Sequence, residues 1–173
     1  MLIAHLPSGY LLGAASQRLV NTRTRSLMAA ALLGSVAPDF DMLYFHLIDA
    51  RRTPHHDYFT HWPFFWLAVG AALVAIASFS ARLRSSVALA FTAGTLLHMA
   101  LDSVAAQIHW LMPFDDFAVE LVVVPAAYSN WVWNFVLHWT FGLEITICLM
   151  ALLLFVYRWR MRTRKKLEIA ASM

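Results

Sequence analysis

The sequence is poor in charged residues. Of its 173 residues only 13% are charged, whereas 61% are hydrophobic. Soluble domains have about 25% charged and roughly 45–50% apolar residues, so this chain has too little polar surface to cover a water-soluble globule. Its length is sufficient for one domain and too short for two of ordinary size. The composition therefore predicts a single integral membrane domain.

Cysteine is almost absent, and the chain has no internal repeat or low-complexity segment. The single cysteine, Cys148, lies within an apolar run. This excludes a disulfide framework and a thiolate zinc site. The N-terminal stretch MLIAHLPSGYLLGAAS has no positive charge ahead of its apolar residues and includes His5 and Pro7. It therefore predicts a retained helix and not a cleaved signal peptide.

The basic residues are concentrated at the ends of apolar segments. Eleven of the thirteen Lys and Arg residues fall in three clusters, at 18–25, at 82–84 and in RWRMRTRKK at 158–166. Cytoplasmic anchors that fix membrane orientation show this pattern. It predicts a basic cytoplasmic tail at 158–173, after a membrane domain at 1–157. The tail is expected to contact lipid headgroups and not nucleic acid.

The apolar runs predict an all-α, polytopic membrane bundle of about four or five helices, because about 20 apolar residues cross the hydrocarbon. The clearest spans are 64–81 and 131–157. The other predicted segments are 3–16, 27–48 with a break at Pro38, and 86–106, with a loop or interfacial segment at 109–130.

The polar side chains fall at one end of these helices. With the basic clusters and the C-terminus placed in the cytoplasm, His5 starts the first helix at the outer face, and the acids of APDFD end the second. The segment HHDYFTH at 55–61 precedes a descending span, and LLHMALD ends a rising one. We therefore expect a polar site at the outer membrane face. Arg51 and Arg52 would then lie at the outer face, although this arrangement places the other basic clusters in the cytoplasm.

Three predicted helices place a histidine on a face that also carries glycine. Residues four apart share a helix face, and small residues mark close packing between membrane helices. We therefore expect these histidines to point into the bundle. The three sets are His5, Gly9 and Gly13; Gly94, His98 and Asp102; and Asn134, His138 and Gly142.

Several of these groups have the spacing of metal ligands. His98 and Asp102 lie one helical turn apart and can share an ion. The two acids of APDFD are close enough to repel each other unless a cation or a proton lies between them. His56 and His61 converge only if the chain turns between them. Ionisable groups in a membrane are costly unless paired, which favours a functional site. The predicted ligands are His5, Asp39, Asp41, His56, His61, His98 and Asp102.

Other polar residues near these ligands receive separate interpretations. Asp57 can orient an imidazole, and Asn134 and His138 form a possible additional polar site. A lone histidine in an apolar segment is usually a hydrogen-bonded core residue, which is how we interpret His46 and His109. Mixed imidazole and carboxylate ligands suit Zn²⁺, with Mn²⁺ or Fe²⁺ as alternatives.

In this order the motifs resemble those of a known family. They are AHLPSGYLLG, the PDxD element in APDFDML, the H-x4-H element in HDYFTHW, the H-x3-LD element in HMALDSV, and WLMPF. They resemble the YdjM family of inner-membrane proteins, regarded as metal-dependent hydrolases, some of which are controlled by the LexA repressor. The resemblance covers residues 1–116. It implies a bacterial inner-membrane location and metal-binding roles for the seven predicted ligands. Asp57 and Trp62 depart from the family pattern, so substrate contacts are expected to differ.

The order of the motifs is more distantly similar to the zinc-dependent phospholipase C and single-strand nuclease fold. That fold is all-helical and holds a cluster of zinc ions. Its later H-x3-E element is not reproduced, because His138 is followed by Gly142, with Glu144 two residues beyond. This departure implies one or two metal ions and not three.

Together these features predict a membrane-bound, metal-dependent hydrolase. The expected substrate is a phosphoester or another ester of a lipid or lipid-linked molecule, attacked by metal-activated water. Asp57 or Asp41 would act as general base, and Arg51 and Arg52 would contact phosphate or anchor the chain to headgroups. The alternative is a non-enzymatic metal-binding protein with a transport or structural role. Transporters commonly show internal repeats, which this chain lacks.

Overall fold

The computed structural model of the chain describes residues 1, 3–21, 23–80 and 84–172, and it is mostly helical. Its α-helices are α1 (His5–Leu19), α2 (Arg25–Gly34), α3 (Asp41–Leu47), α4 (Pro63–Phe79), α5 (Ser85–Asp102), α6 (Trp131–Val136) and α7 (Thr140–Ala171). Two short strands, β1 (Ile108–His109) and β2 (Ala118–Val119), pair antiparallel, and all but Ile108 lie within the segment predicted as a loop. The helical class predicted from the sequence is confirmed.

The break predicted at Pro38 separates α2 from α3. A 3-10 turn covers Pro38–Phe40 between the two helices. Proline lacks the N–H that a continuing helix needs, and its ring clashes with the preceding turn. The helical pieces on either side are bent by 58°. Asp39 and Asp41 follow the bend directly, so both carboxylates lie beside the end of α2.

The contact between α2 and α5 is made by backbone atoms. A Cβ added to Gly94 would lie 2.8 Å from the carbonyl oxygen of Ala31 and 2.9 Å from the amide nitrogen of Ser35. A Cβ added to Gly34 would collide with the backbone of Phe91. Small residues permit such an approach between membrane helices. Because backbone cannot move aside as a side chain can, these two glycines fix how the helices meet.

Glycines also bring α1 close to α2, as the spacing of Gly9 and Gly13 predicts. Gly9 lies against the Ser35 side chain, and a Cβ at Gly13 would lie 2.6 Å from Sδ of Met28. α4 packs on α5, and α7 packs on α1. The buried apolar cluster between α2 and α5 contains Leu27, Ala30, Ala31 and Ala90. The resulting bundle holds the starts of α1 and α4 near the ends of α2 and α5.

One described helix, α7, is long and apolar enough to cross a membrane. The bent pair of α2 and residues Pro38–Leu47 gives a second span only if its two pieces count as one. The predicted span at 64–81 corresponds to α4, whose 17 residues rise about 25 Å, less than the roughly 30 Å of hydrocarbon. Ala81 and Arg82 lie outside the described residues.

The single helix predicted at 131–157 is wrong, because two helices replace it with a break at 137–139. The side-chain amide of Asn134 bonds both the N–H and the carbonyl oxygen of Tyr128, which ties α6 to the preceding loop. Nδ1 of His138 lies 2.9 Å from Oγ1 of Thr140. Side chains that bond nearby polar groups in this way compete with a continuous helix.

Beyond this break α7 continues without interruption through the basic residues to Ala171. The predicted helix face of Asn134, His138 and Gly142 is therefore wrong, because Gly142 lies on a different helix from Asn134. A Cβ at Gly142 would meet nothing within 4 Å. Apolar side chains on α7 are largely exposed, for example Leu153 at 69%. Such a surface suits lipid better than water.

We expect Gly94→Ala to destabilise the protein by about 1–3 kcal/mol, because the added methyl forces α2 and α5 apart. Gly142→Ala is the matched control, since its methyl enters open space and removes the helix cost of glycine. Thermal unfolding of both variants in detergent measures the difference. Equal melting temperatures would contradict the backbone contact between α2 and α5.

Candidate metal centre

All seven predicted ligands converge at one end of the bundle. His5 begins α1, Asp39 and Asp41 follow the bend, the turns before α4 carry His56 and His61, and the end of α5 carries His98 and Asp102. Together with His55 they form four overlapping groups of three, within each of which the potential ligand atoms lie no more than 4.8 Å apart. We call these eight residues the His/Asp cluster. It could hold a metal ion.

The centre of the His/Asp cluster is fully buried. His61, His98 and Asp102 are each at most 1% exposed. Nε2 of His98 lies 3.0 Å from Oδ2 of Asp102, and Nε2 of His61 lies 4.0 Å from the same oxygen. None of these three atoms has a hydrogen-bond partner among the described residues, despite the short distance between two of them. Buried polar atoms are normally hydrogen-bonded, and a shared ion would satisfy all three.

A backbone hydrogen bond orients His98. Nδ1 of His98 lies 2.9 Å from the carbonyl oxygen of Ser35, at the end of α2. With the proton on Nδ1, this nitrogen donates to the carbonyl and Nε2 keeps its lone pair toward Asp102. Metal-binding histidines usually have such a partner on the other ring nitrogen, which fixes both tautomer and ring orientation. The bond therefore prepares His98 to bind an ion.

Asp41 is held by the turn that carries His61. Oγ1 of Thr60 donates a 2.6 Å hydrogen bond to Oδ2 of Asp41, and Nδ1 of His61 lies 2.8 Å from that oxygen. Nε1 of Trp66 donates to the carbonyl oxygen of Thr60 and fixes the turn. The other carboxylate oxygen, Oδ1, lies 3.8 Å from Nδ1 of His55 and has no hydrogen-bond partner among the described residues. Asp41 thus has one oxygen engaged by the turn and a second oxygen that faces His55 without a hydrogen bond.

The turn required for His56 and His61 to converge is present. Two 3-10 turns, at His55–Asp57 and Phe59–His61, are joined by Tyr58 in an extended conformation. The ring centroids of His56 and His61 lie 5.0 Å apart. The same turn brings in His55, whose ring centroid lies 3.8 Å from that of His56. His55 was not among the predicted ligands, because a run of two histidines does not reveal which one faces the site.

The cluster is open to solvent at three of its members. The side chains of Asp39, His55 and His56 are 37%, 24% and 22% exposed, whereas the centre is closed. Burial lowers the pKa of His56, although the carboxylate of Asp102 opposes this effect. His56 therefore stays neutral, the form that binds metal, to a lower pH than an ordinary histidine.

The start of α1 is held in place by a buried acid on α7. Glu144, which is 1% exposed, accepts hydrogen bonds from the backbone N–H groups of Ile3 at 2.6 Å and Ala4 at 3.2 Å. These groups lead into His5, whose ring stacks on that of His98 at 3.8 Å. Nε2 of His5 lies 3.1 Å from Oδ1 of Asp102, which also accepts a bond from the amino group of Met1.

Glu144 was missed as a site residue because the H-x5-E spacing from His138 matches no simple ligand pattern. Its position in the middle of an apolar helix was the available signal, since an acid there is costly unless partnered. The structure shows that it supports the chain around His5 and does not belong to the His/Asp cluster.

Asp57, predicted as a base or an orienting group, lies outside the His/Asp cluster. Its side chain is 44% exposed, and its Oδ1 lies 3.7 Å from Nε2 of His109. His109, interpreted from the sequence as a core residue, is therefore the partner of Asp57. Asn134 and His138 also lie outside the cluster, since their side chains bond Tyr128 and Thr140 respectively.

Arg51 and Arg52 are exposed in the loop between α3 and His55. Nε of Arg51 donates to Nδ1 of His46 at 3.1 Å. The backbone N–H groups of Thr53 and Arg52 both donate to Oδ2 of Asp49, and they lower the pKa of that carboxyl. The loop is therefore ordered by its own hydrogen bonds, and the guanidinium of Arg52 has no ion pair within the described part of the chain.

Comparison with protein families identifies the family of the chain. The family described as YdjM inner membrane protein matches residues 1–165. The chain belongs to this family. The match extends the resemblance seen in the motifs from residue 116 to the basic part of α7, and with α7 as an apolar span it supports a membrane location for this YdjM family member. Neither the curated proteins nor the solved structures contain a match.

We expect Glu144→Ala to weaken metal retention by about 10–100-fold, the usual cost of losing a group that supports a ligand. The variant leaves the N–H groups of Ile3 and Ala4 without their carboxylate, so His5 is no longer held against His98. Glu168→Ala, an exposed change on the same helix, is the control. Equilibrium dialysis against a metal chelator measures retention, and equal retention in the two variants would contradict the role of Glu144.

Proposed function

We propose that this YdjM family member is a metal-dependent hydrolase of the bacterial inner membrane. Its substrate would be a phosphoester or another ester of a lipid or lipid-linked molecule. The observation that carries the proposal is the centre of the His/Asp cluster, where buried nitrogen and oxygen atoms of His61, His98 and Asp102 face one another without hydrogen bonds. A divalent ion shared by these atoms would satisfy all of them at once.

The donor set fits a divalent metal, with Zn²⁺ preferred and Mn²⁺ or Fe²⁺ as alternatives. The potential ligands are imidazoles and carboxylates, and the single thiol, Cys148, points to the carbonyl oxygen of Ile3. His61, His98 and Asp102 would hold an ion at the buried centre, with His5 and Asp39 beside them. A divalent ion bound there would act as a Lewis acid, lowering the pKa of water and polarising the scissile bond.

The protein groups around the ion would supply the proton chemistry. Of the two carboxylates expected as bases, Asp41 belongs to the His/Asp cluster and Asp57 faces His109. We assign the general base to Asp41, because Thr60 donates to its Oδ2, whereas its Oδ1 has no hydrogen-bond partner among the described residues and lies beside His55. His55, next to Oδ1 and partly exposed, would carry the proton that Asp41 accepts from water on to solvent.

The membrane setting favours a lipid substrate. The cluster is open at Asp39, His55 and His56, and the same protein has an apolar span, α7. We propose a polytopic arrangement in which α1, the α2–α3 pair, α4 and α5 also enter the bilayer. The cluster would then lie at the outer headgroup layer, and the C-terminus would lie in the cytoplasm. Arg51 and Arg52, on the loop before His55, would meet phosphate or headgroups there.

Turnover of phosphodiester, phosphomonoester and carboxylic ester lipids by the purified protein tests this proposal. We expect activity with at least one class, loss of activity on chelation, and recovery with Zn²⁺ or Mn²⁺. Asp41→Asn should lower turnover by about 10²–10⁴-fold, the usual contribution of a general base. His98→Ala should lose both metal and turnover.

The controls for this experiment lie outside the His/Asp cluster. Asp57→Asn and His138→Ala should retain both metal and turnover. A protein that retains metal but hydrolyses none of the three lipid classes would favour the non-enzymatic alternative. A protein that retains no metal would contradict both functions.

A further inference from the structure

A second polar region lies at the other end of α1, far from the His/Asp cluster. Gln17 is 12 residues after His5 on the same helix, a rise of about 18 Å. It is 5% exposed. Its Nε2 donates to the carbonyl oxygen of Thr24 at 2.8 Å, and its Oε1 accepts a 2.5 Å hydrogen bond from Nη2 of Arg158 on α7. A buried amide thus holds a guanidinium between α1 and α7.

Two cavities meet at this guanidinium. One, of about 600 Å³, lies between α1 and α7, and the other, of about 410 Å³, extends to α2. Gln17, Arg23 and Arg158 line both. We call the pair the arginine cavities. Their volumes are in the range of small-molecule sites, about 300–1,000 Å³.

The charge in the arginine cavities is of one sign. Besides Arg23 and Arg158, they are lined by Arg18, Arg25 and Arg162, and by no acid. None of these five arginines forms an ion pair with a carboxylate within the part of the chain that the structure describes. Nη1 of Arg158 is buried and has no hydrogen-bond acceptor among the same residues. The cavities therefore have donors and positive charge to offer an anion.

The walls of the cavities are apolar. Leu11, Ala14, Ala15 and Leu154 line the first, and Met28, Leu32, Phe155 and Trp159 are among those lining the second. Arginine recognises phosphate with several donors in a fixed fork, and basic pockets between membrane helices bind phospholipid headgroups. A free phosphate ion would use the arginines alone, whereas a phospholipid would also cover the apolar walls.

We propose that the arginine cavities bind one anionic phospholipid, its phosphate on Arg158 and the neighbouring arginines and its acyl chains along the apolar walls. This site is independent of the metal centre, because it shares no residue with the His/Asp cluster. It holds α1, α2 and α7 together through a lipid at the end of the bundle opposite the cluster.

The test is native mass spectrometry of the full-length protein in neutral detergent, titrated with phosphatidylglycerol, with phosphatidylcholine and with inorganic phosphate. We expect one phosphatidylglycerol per chain, bound at least 10-fold more tightly than phosphatidylcholine and not displaced by millimolar phosphate. Arg158→Ala should weaken phosphatidylglycerol binding roughly 10-fold through loss of a charged hydrogen-bond donor. Arg160→Ala, on the same helix but lining neither cavity, should bind as the parent does.

If Arg158→Ala does not fold, the double variant Arg23→Ala/Arg162→Ala replaces it, since both residues are exposed and line the second cavity. It should weaken binding to a similar extent. Equal affinity for the two lipids would overturn the proposal, as would full displacement by inorganic phosphate. An equal loss in Arg160→Ala and Arg158→Ala would overturn it as well, because charge on α7 alone would then account for the binding.

Discussion

The hydrogen bond between Nδ1 of His98 and the carbonyl oxygen of Ser35 joins the packing of the bundle to the chemistry of the site. It can form only because Gly94, one turn before His98, lets the backbone of α2 approach α5. The carbonyl at Ser35 is left without a helical partner because α2 ends before Pro38. A proline, a glycine and a histidine thus cooperate, and the same bend places Asp39 near His98 and Asp41 near His61.

The sequence was sufficient to predict the members of the His/Asp cluster that lie on regular helices or directly beside a helix break. Residues four apart share a face, so Gly94, His98 and Asp102 had to point the same way, and His5 with Gly9 did so on α1. Pro38 located the break that places Asp39 and Asp41. These inferences depend only on local backbone geometry, which follows from the residues nearby in the sequence.

Other features depended on contacts between distant segments. Nothing local distinguishes His55 from His56, since the rotation of a 3-10 turn depends on what packs against it. Glu144 could be recognised as costly in an apolar helix, but its partners, Ile3 and Ala4, are about 140 residues earlier in the chain. The break after α6 was missed because its cause is side-chain bonding by Asn134 and His138, which apolar periodicity does not register.

The central claim is that imidazoles and carboxylates of the His/Asp cluster bind one or more metal ions. The X-ray absorption spectrum of the purified full-length protein, recorded at the edge of the metal it retains, tests this most directly. We predict nitrogen and oxygen neighbours at about 2.0–2.2 Å, with the outer-shell scattering of several imidazoles, for bound zinc. A sulfur neighbour at about 2.3 Å, or a spectrum without imidazole scattering, would contradict the account.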